Sequence, residues 1–258
     1  MSGIFDLNGK KGLVIGMANQ DSIAYACAKK FRAAGAELAV TYLNEKAEKY
    51  VRPLADEVEA SLFLPCNVQK EGELEAVFAE IEKKWGKLDF LVHSIAFAPL
   101  EDLHGRLVDC SLNGFLMAMD VSCHSLMRMT KLAEPLMKDG GSILSMTYHG
   151  SQQVVTNYQV MGPAKAALES STRYLAAELA EKRIRVNCIS PGPLRTRAAS
   201  GIKDFEELMQ FAESRVANYG DVSQDDVGNM AAFLVSDAAK ALSGYNYYVD
   251  GGLSTIGA

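Results

Sequence analysis

The sequence has no long hydrophobic run in its 258 residues. No apolar stretch approaches the roughly 20 residues that a membrane-spanning helix needs. The N-terminal MSGIFDLNGKKG also has no apolar region of the kind found in signal peptides. Because 48% of the residues are hydrophobic, the chain can still bury one sizeable core. We therefore expect a soluble, cytoplasmic protein with a single domain spanning residues 1–258.

Cysteine and histidine are scarce, which limits the possible disulfides and metal sites. The four histidines lack H-E-x-x-H or any other spacing typical of metal ligands, so we predict no metal site. The five cysteines are odd in number and contain no C-x-x-C pair, which favours packing residues in a reducing compartment. The net charge of -6 disfavours nucleic-acid binding, which depends on basic side chains that neutralise phosphates.

Short apolar runs alternate with segments of helical periodicity along the whole chain. The predicted strands are residues 11–16, 36–42, 61–66, 88–96, 141–148, 184–190 and 245–252. The predicted helices are residues 22–35, 45–60 (interrupted or bent by Pro53), about 70–85, a long stretch ending near 137, and 160–181. Apolar strands separated by helices indicate an α/β fold with a doubly wound, Rossmann-type parallel sheet. Ligands of such sheets bind outside the carboxyl ends of the strands.

The loop after the first predicted strand, IGMANQDSIA (15–24), is poor in glycine for a dinucleotide-binding turn. A pyrophosphate usually binds at such a strand-to-helix turn, on the helix N-terminus. Gly16 can form the turn, and Ser22 can cap the helix or bind phosphate. An ordinary turn with a serine cap fits the same residues.

The ends of the second and third predicted strands are candidates for the adenosine half of a cofactor. No arginine follows the second strand to accept a 2'-phosphate, so TYLNEK favours NADH over NADPH, with Leu43 packed near the adenosine. After the third strand, Asn67 is placed to accept a hydrogen bond from the adenine amino group, and Val68 to pack on the ring. Asn67 fits an ordinary turn equally well.

The stretch NYQVMGPAK (157–165) contains a tyrosine and a lysine seven positions apart. A nearby ammonium group lowers the pKa of tyrosine from about 10, towards acid chemistry near neutrality. On a continuous helix the two residues would be separated by a rise of roughly 10 Å, with room for a ligand between them. Pro163 predicts a helix start near residue 160, which places Tyr158 at or before its mouth. Alternatively, Tyr158 and Lys165 are surface residues of an amphipathic helix.

Five motifs together resemble those of the enoyl-acyl carrier protein reductases, a divergent branch of the short-chain dehydrogenase/reductase superfamily. The motifs are GMANQDSIA (16–24), HSIAFAP (93–99), TYHGSQQVVTNYQVMGPAK (147–165), SPGPLRTRAASGIKDF (190–205) and YVDGG (248–252). Ordinary members of the superfamily use Y-x3-K and several glycines in the first loop. The sequence instead has Y-x6-K and G-x5-S-I-A, both typical of the divergent branch.

The resemblance implies reduction of the trans-2 double bond of an enoyl thioester carried by acyl carrier protein, the last step of each fatty-acid elongation cycle. NADH would give hydride to the β-carbon, and Tyr158 would donate a hydrogen bond to the thioester oxygen. Lys165 would bind the cofactor ribose, and Tyr148 would line the pocket near the thioester. A short-chain carbonyl or alcohol dehydrogenase is the alternative enzyme, and a non-catalytic nucleotide sensor is the alternative of another class.

The resemblance also assigns binding residues position by position. The implied cofactor-binding residues are Gly16, Ser22, Ile23, Leu43, Asn67, Val68, Ile95, Lys165, Leu194 and Thr196. The implied substrate-binding residues are Ala98, Tyr148, Tyr158, Met161, Ile202 and Phe205. A segment at about 194–218 would cover the acyl chain. The family is usually homotetrameric, with helices 114–137 and 160–181 as candidate interfaces.

Two departures from the family pattern affect the predicted substrate interactions. Ala96 replaces a common glycine and should tighten the nicotinamide pocket. Glu206 and Glu207 stand where relatives often carry basic residues that meet the acidic carrier protein. Arg195, Arg197 and Lys203 remain as candidate carrier contacts. We therefore hypothesise modest affinity for acyl carrier protein and comparatively good use of acyl-CoA analogues.

Overall fold

All strands of the computed structural model, which describes residues 5–215 and 222–256, pair in one parallel sheet. The strands are β1 (Lys11–Ile15), β2 (Glu37–Tyr42), β3 (Leu62–Pro65), β4 (Phe90–His93), β5 (Gly141–Met146), β6 (Ile184–Pro191) and β7 (Asn246–Val249). Their order across the sheet is β3-β2-β1-β4-β5-β6-β7. The doubly wound, Rossmann-type sheet predicted from the sequence is therefore confirmed. The strand order reverses between β1 and β4, where such folds bind dinucleotides.

Helices cover both faces of the sheet. They are α1 (Ile23–Ala33), α2 (Glu45–Glu57), α3 (Glu73–Trp85), α4 (Leu100–His104), α5 (Leu112–Met119), α6 (Ser125–Ala133), α7 (Met161–Glu178), α8 (Phe205–Arg215) and α9 (Gln224–Val235). None of the described helices is long and apolar enough to cross a membrane. The two alternating faces of β1 illustrate the core, because Leu13 packs into one apolar cluster and Val14 into the other.

The structure differs locally from the predicted helices in three places. Pro53 does not interrupt α2, which runs through it from Glu45 to Glu57. The long helix predicted to end near residue 137 contains a π-helical segment, Asp120–His124, between α5 and α6. Helix α9 was not predicted at all, although a capping box marks its start: the Ser223 hydroxyl accepts from the Asp226 amide, and the Asp226 carboxylate accepts from the Ser223 amide.

Helix α9 packs closely against α1, near the first loop. Gly228 makes this approach possible, since a β-carbon there would meet the backbone carbonyl oxygen of Ala26 at 2.8 Å. The contact at Ala26 thereby fixes the first turn of α1 against α9.

The five cysteines are free thiols, and four of them are buried: Cys27, Cys66, Cys123 and Cys188. The prediction that cysteines are packing residues is confirmed for these four. Cys110 is half-buried beside Ser111, whose carbonyl oxygen it contacts at 3.6 Å. The described residues contain no group of three histidine, cysteine, aspartate or glutamate side chains arranged to hold a metal ion.

Candidate active site

The first loop lies directly against the end of β4. Gly16 has φ +117, and a β-carbon there would meet the carbonyl oxygen of Ser94 at 2.1 Å and the side chain of Ile95 at 3.2 Å. Only glycine combines this backbone conformation with so close an approach. The predicted turn role of Gly16 is confirmed, and the ends of β1 and β4 form a narrow crevice.

Ser22 organises the first loop and does not cap α1. Its hydroxyl accepts from the amides of Ala18 and Asn19, both at 3.0 Å, and donates to the Asn19 side chain at 3.1 Å. Ser22 occupies the N-cap position without a side-chain cap bond, so the capping prediction is wrong. Helix α1 begins at Ile23, and the first-turn amides of a helix suit a phosphate group.

The residues predicted for the adenosine half lie at the ends of β2 and β3. Leu43 is 51% exposed just beyond β2, an apolar surface open to a ligand. The Asn67 side-chain oxygen accepts from the Gln69 amide at 3.0 Å, which is the turn role that the sequence left open. Val68 is buried, and its carbonyl oxygen accepts from Arg128 at 2.6 Å.

Tyr158 is held by unusual backbone immediately before α7. Its neighbours Asn157 and Gln159 have φ 61 and φ 24, conformations that non-glycine residues rarely adopt. Such outliers cluster at functional sites, where the surrounding structure maintains them. Helix α7 begins at Met161, whose amide donates to the Tyr158 carbonyl at 2.9 Å. The predicted placement of Tyr158 at the helix mouth is confirmed, with Pro163 in the first turn.

Two buried tyrosine rings pack edge to face at the carboxyl edge of the sheet. Tyr148 follows β5, and its ring centroid lies 5.1 Å from that of Tyr158 with an interplanar angle of 69°. Burial raises the pKa of both phenols, so both keep their protons at neutral pH. The Tyr148 hydroxyl is buried without a hydrogen-bond partner among the described residues. A buried donor of this kind is usually satisfied, so it is available for a ligand.

Lys165 is 5% exposed, so the alternative of a surface lysine is excluded. Its ammonium group donates to the carbonyl oxygen of Met146 at the end of β5, at 2.6 Å. Burial lowers the Lys165 pKa to about 8, partly opposed by Cys188, Cys123 and Glu169. The two-turn rise estimated for a continuous helix does not apply to this pair, because Tyr158 precedes α7, which begins at Met161.

An apolar cluster surrounds the two tyrosines. Three other residues predicted for the substrate site belong to or pack against it: Ala98, Met161 and Ile202. Ala164 also belongs to the cluster and was not predicted. Further members that the sequence did not indicate are Leu103, Ala118, Met119, Val155, Val160 and Leu208. Phe205 is half-buried at the start of α8, and Leu208 of the same helix packs against the cluster.

The π-helical segment braces the loop after β4 against this cluster. The Ser122 hydroxyl accepts from the Phe97 amide at 3.0 Å and contacts the Met161 sulfur at 3.8 Å. His93, the last residue of β4, is fully buried, and the Ser125 and Ser145 hydroxyls lie 2.8 Å from its two ring nitrogens. Burial, reinforced by the charge of Lys165, lowers the His93 pKa to about 3, so the ring is neutral.

The covering segment predicted at 194–218 is described as far as residue 215, and residues 216–218 lie outside the described part of the chain. Leu194 is buried in the core cluster that contains α1 and α9, and Thr196 accepts from the Ala199 amide at 3.1 Å. Arg195, predicted as a carrier contact, forms an ion pair with Glu206. The positive charge of Arg195 is therefore already matched within the segment.

The covering segment is attached to the rest of the chain by polar contacts at its surface. The His104 ring donates to the carbonyl oxygen of Gly201 at 2.6 Å. The Asn157 side-chain amide donates to the carbonyl oxygen of Lys203 at 3.0 Å and to the Asp204 carboxylate at 3.1 Å. Asn157 thus links the segment directly to the backbone that presents the neighbouring Tyr158.

A family model described as "Enoyl-(Acyl carrier protein) reductase" matches residues 16–254. The chain belongs to this enoyl-(acyl carrier protein) reductase family. A Rickettsia typhi relative named enoyl-acyl-carrier-protein reductase (NADH) FabI is 44% identical over 97% of this chain and 96% of its own. A Bacillus cereus relative of the same name is 45% identical over 97% and 99% of the two chains.

Solved structures of enoyl-(acyl carrier protein) reductases superimpose closely on this chain. An Anaplasma phagocytophilum reductase in complex with NAD has a TM-score of 0.94 and 43% identity, and the match covers 99% of this chain and 97% of that one. A Bacillus cereus reductase with NADP+ and indole naphthyridinone has a TM-score of 0.95 and 44% identity, covering 98% and 99%. The family resemblance inferred from five motifs is therefore confirmed.

Proposed function

We propose that this member of the enoyl-(acyl carrier protein) reductase family uses NADH to reduce the trans-2 double bond of enoyl thioesters. The observation that carries the proposal is the buried group of Tyr148, Tyr158 and Lys165 at the carboxyl edge of the sheet. It stands next to an apolar cluster that suits an acyl chain. The reaction is the last step of each fatty-acid elongation cycle.

The residues present fit a nicotinamide dinucleotide. Gly16 adds no side chain of its own at the start of the crevice, where its backbone lies against Ser94 and the Ile95 side chain. The N-terminus of α1 suits the pyrophosphate, with Ser22 and Ile23 beside it. At the other end of the crevice, the buried Tyr148 hydroxyl lacks a partner among the described residues. We assign the remaining cofactor contacts to Leu43, Asn67, Val68, Ile95, Lys165, Leu194 and Thr196.

When bound, NADH supplies the hydride that adds to the β-carbon of the substrate. Negative charge then develops on the thioester oxygen, where the protonated Tyr158 hydroxyl donates a hydrogen bond. The surrounding cluster excludes water, and a charge-assisted hydrogen bond is stronger in such a site. Tyr148 lines the thioester end of the pocket, and Lys165 binds the ribose hydroxyls with its charged ammonium. Ala98, Met161, Ile202 and Phe205 line the acyl chain.

NADH is the proposed cofactor because no arginine follows β2 to bind a 2'-phosphate. The exposed Leu43 is suited to pack against the adenosine without adding a charge. The curated relatives carry NADH in their names. We expect the Michaelis constant for NADPH to exceed that for NADH, and the opposite order would contradict this assignment.

Acyl carrier protein is the proposed carrier of the substrate, with modest affinity. The start of α8 presents Glu206 and Glu207 to solvent, and Arg195 is paired with Glu206. Arg197 and Lys203 are exposed and remain as contacts for an acidic partner. If the carrier-linked substrate exceeds the CoA analogue by orders of magnitude in kcat/KM, modest affinity is the wrong interpretation.

We also propose a homotetramer of single-domain chains. Helix α5 exposes three large apolar side chains, Leu112, Phe115 and Leu116, which are 74%, 40% and 56% exposed. A contiguous apolar surface of this kind is typical of a protein interface. Light scattering on the purified protein tests the assembly, and a monomer at micromolar concentration would contradict it.

The experiment that tests the proposed function compares NADH oxidation on a short enoyl thioester with NADH oxidation on a panel of ketones and aldehydes. We expect turnover of the thioester and none of the panel. Turnover of a ketone without the thioester would instead support a carbonyl dehydrogenase. The absence of any NADH oxidation would support a non-catalytic nucleotide sensor.

A further inference from the structure

Glu169 is a buried carboxylate of α7 that the proposed chemistry does not use. It is 4% exposed and follows Lys165 by one helical turn. Carboxylates are seldom buried this deeply unless they are hydrogen-bonded or paired. One Glu169 oxygen accepts from the Thr147 hydroxyl at 2.7 Å and from the Ser151 hydroxyl at 2.5 Å. The other oxygen accepts from the Gln152 side chain at 3.4 Å.

These hydrogen bonds hold the segment that carries Tyr148. Thr147 precedes Tyr148 directly and is the last residue bonded to β6, with its amide donating to the Ile189 carbonyl at 2.9 Å. Ser151 closes the turn after Tyr148, since its amide donates to the Tyr148 carbonyl at 3.0 Å. A single carboxylate therefore fixes the chain on both sides of Tyr148. Hydrogen bonds to a charged acceptor are about twice as strong as neutral ones, so the Glu169 carboxylate is well suited to hold this segment in place.

Glu169 also lies one helical turn after Lys165, and both side chains are buried. Residues i and i+4 are neighbours on one helical face, and the negative charge of Glu169 favours the charged form of Lys165. Lys165 donates to Met146, the residue before Thr147. Helix α7 is thus tied to the end of β5 by two adjacent side chains of opposite charge.

Of the three groups that raise the Lys165 pKa, namely Cys188, Cys123 and Glu169, the two thiols are neutral near pH 7. Burial raises the pKa of Cys188 on β6 to about 12 and raises that of Cys123 in the π-helical segment. His93 on β4 is neutral because burial lowers its pKa to about 3. Burial and the charge of Glu169 raise the pKa of Tyr248 on β7. Glu169 is therefore the group that balances the buried ammonium charge.

We propose that Glu169 is a positioning residue that holds the Tyr148 segment through Thr147 and Ser151 and offsets the buried positive charge of Lys165, one helical turn away. This inference rests on the proposed function, because it assigns Lys165 to the ribose and Tyr148 to the thioester. Glu169 itself touches neither ligand.

The variant Glu169→Gln separates charge from geometry. The glutamine carbonyl oxygen can still accept from the Thr147 and Ser151 hydroxyls, whereas the negative charge is lost. Without that charge the Lys165 pKa falls below its value of about 8. NADH affinity, measured by fluorescence titration without substrate, should then decrease with rising pH at a midpoint about one pH unit lower than in the wild type.

The double variant Thr147→Val, Ser151→Ala tests the positioning of Tyr148. It keeps the negative charge of Glu169 and removes the two hydroxyl donors. Its pH midpoint for NADH binding should match the wild type, while kcat on the enoyl thioester falls about tenfold through a misplaced Tyr148. Glu178→Gln, at the exposed end of the same helix, is the matched control, and both measurements should equal those of the wild type.

An unshifted pH midpoint in folded Glu169→Gln, or an unchanged kcat in the double variant, would overturn the inference. If Glu169→Gln does not fold, as judged by circular dichroism, the double variant decides alone through its kcat. NADH binding is measured without an enoyl substrate, so it tests the role of Glu169 separately from the reaction. If the midpoint shifts in Glu169→Gln but the wild type does not reduce enoyl thioesters, the proposed function is wrong and the role of Glu169 in NADH binding stands. A shifted midpoint in Glu169→Gln, together with a wild type that reduces enoyl thioesters, supports both the role of Glu169 and the proposed function.

Discussion

The two sides of the candidate pocket are held by different kinds of interaction. On one side, the end of β5 and the start of α7 meet through buried groups: Lys165 on Met146, and Glu169 on Thr147 and Ser151. On the other side, the covering segment 194–215 meets the rest of the chain through exposed polar contacts, such as His104 to Gly201 and Asn157 to Lys203, and through the packing of Ile202 and Leu208.

This difference separates a rigid element from one that can open at little cost. Buried hydrogen bonds to charged groups are costly to break, because the released groups stay away from water. Exposed ion pairs contribute little, since water replaces the partner when they separate. We infer that the β5 and α7 side fixes the reacting groups, while the covering segment admits substrate. Elements that close over a substrate are commonly drawn from the less stable parts of a fold.

The largest effect is expected for Lys165→Ala on the rigid side. The NADH dissociation constant should rise about a hundredfold, because a charged hydrogen-bond donor to the ribose is lost. Burial lowers the Lys165 pKa to about 8, so the cost of burying its charge offsets part of the stability lost with its hydrogen bond to Met146. Isothermal titration with NADH checks the affinity, and normal affinity in this variant would contradict the ribose role.

Next comes Tyr158→Phe, which should lower kcat on an enoyl thioester about a hundredfold and leave NADH affinity unchanged. The lost hydroxyl is assigned to charge that develops only in the transition state, so its effect falls on turnover. Tyr148→Phe is the matched variant, with a smaller expected loss that includes an increase in KM. A greater kcat loss in Tyr148→Phe than in Tyr158→Phe would reverse the assigned roles.

A pH effect on stability is expected from His93 beneath the rigid side. Its folded-state pKa of about 3 lies below the ordinary value of 6.5, so only the unfolded chain binds the proton between these values. Stability should therefore be lost as the pH falls from about 6.5, by up to about 1.4 kcal/mol per pH unit from this residue. Urea unfolding of the wild type and His93→Gln checks this, and equal pH slopes would contradict it.

The smallest effect is expected on the covering side, for Arg195→Ala. The ion pair with Glu206 is exposed, so the melting temperature should not change and KM for the enoyl thioester should change about twofold. Arg197→Ala, which removes a neighbouring exposed charge, is the control. If Arg195→Ala lowered kcat as much as Tyr158→Phe does, the proposed difference between the two sides of the pocket would be wrong.

The sequence predicted the fold well because continuous apolar strands are a local signal. The start of α7 was also predictable, since Pro163 restricts where a helix can begin. Helix α2 was harder, because tertiary packing keeps a helix continuous through Pro53. The role of Ser22 was misjudged, since its hydroxyl bonds the loop before it and not the helix after it.

Glu169 shows why part of the candidate site had no local signal. In AALESS it resembles a solvent-facing helix residue, and its partners Thr147 and Ser151 lie 22 and 18 positions away. The left-handed backbone at Asn157 and Gln159 was equally hidden, because neither residue is the glycine that usually marks such a conformation.

The most direct test of the account is the stoichiometry of the reaction. Wild-type protein is incubated with NADH and a trans-2-enoyl thioester, and the products are quantified by mass spectrometry. The account predicts one saturated acyl thioester formed for each NADH oxidised. NADH oxidation without a saturated thioester, or no oxidation at all, would contradict it.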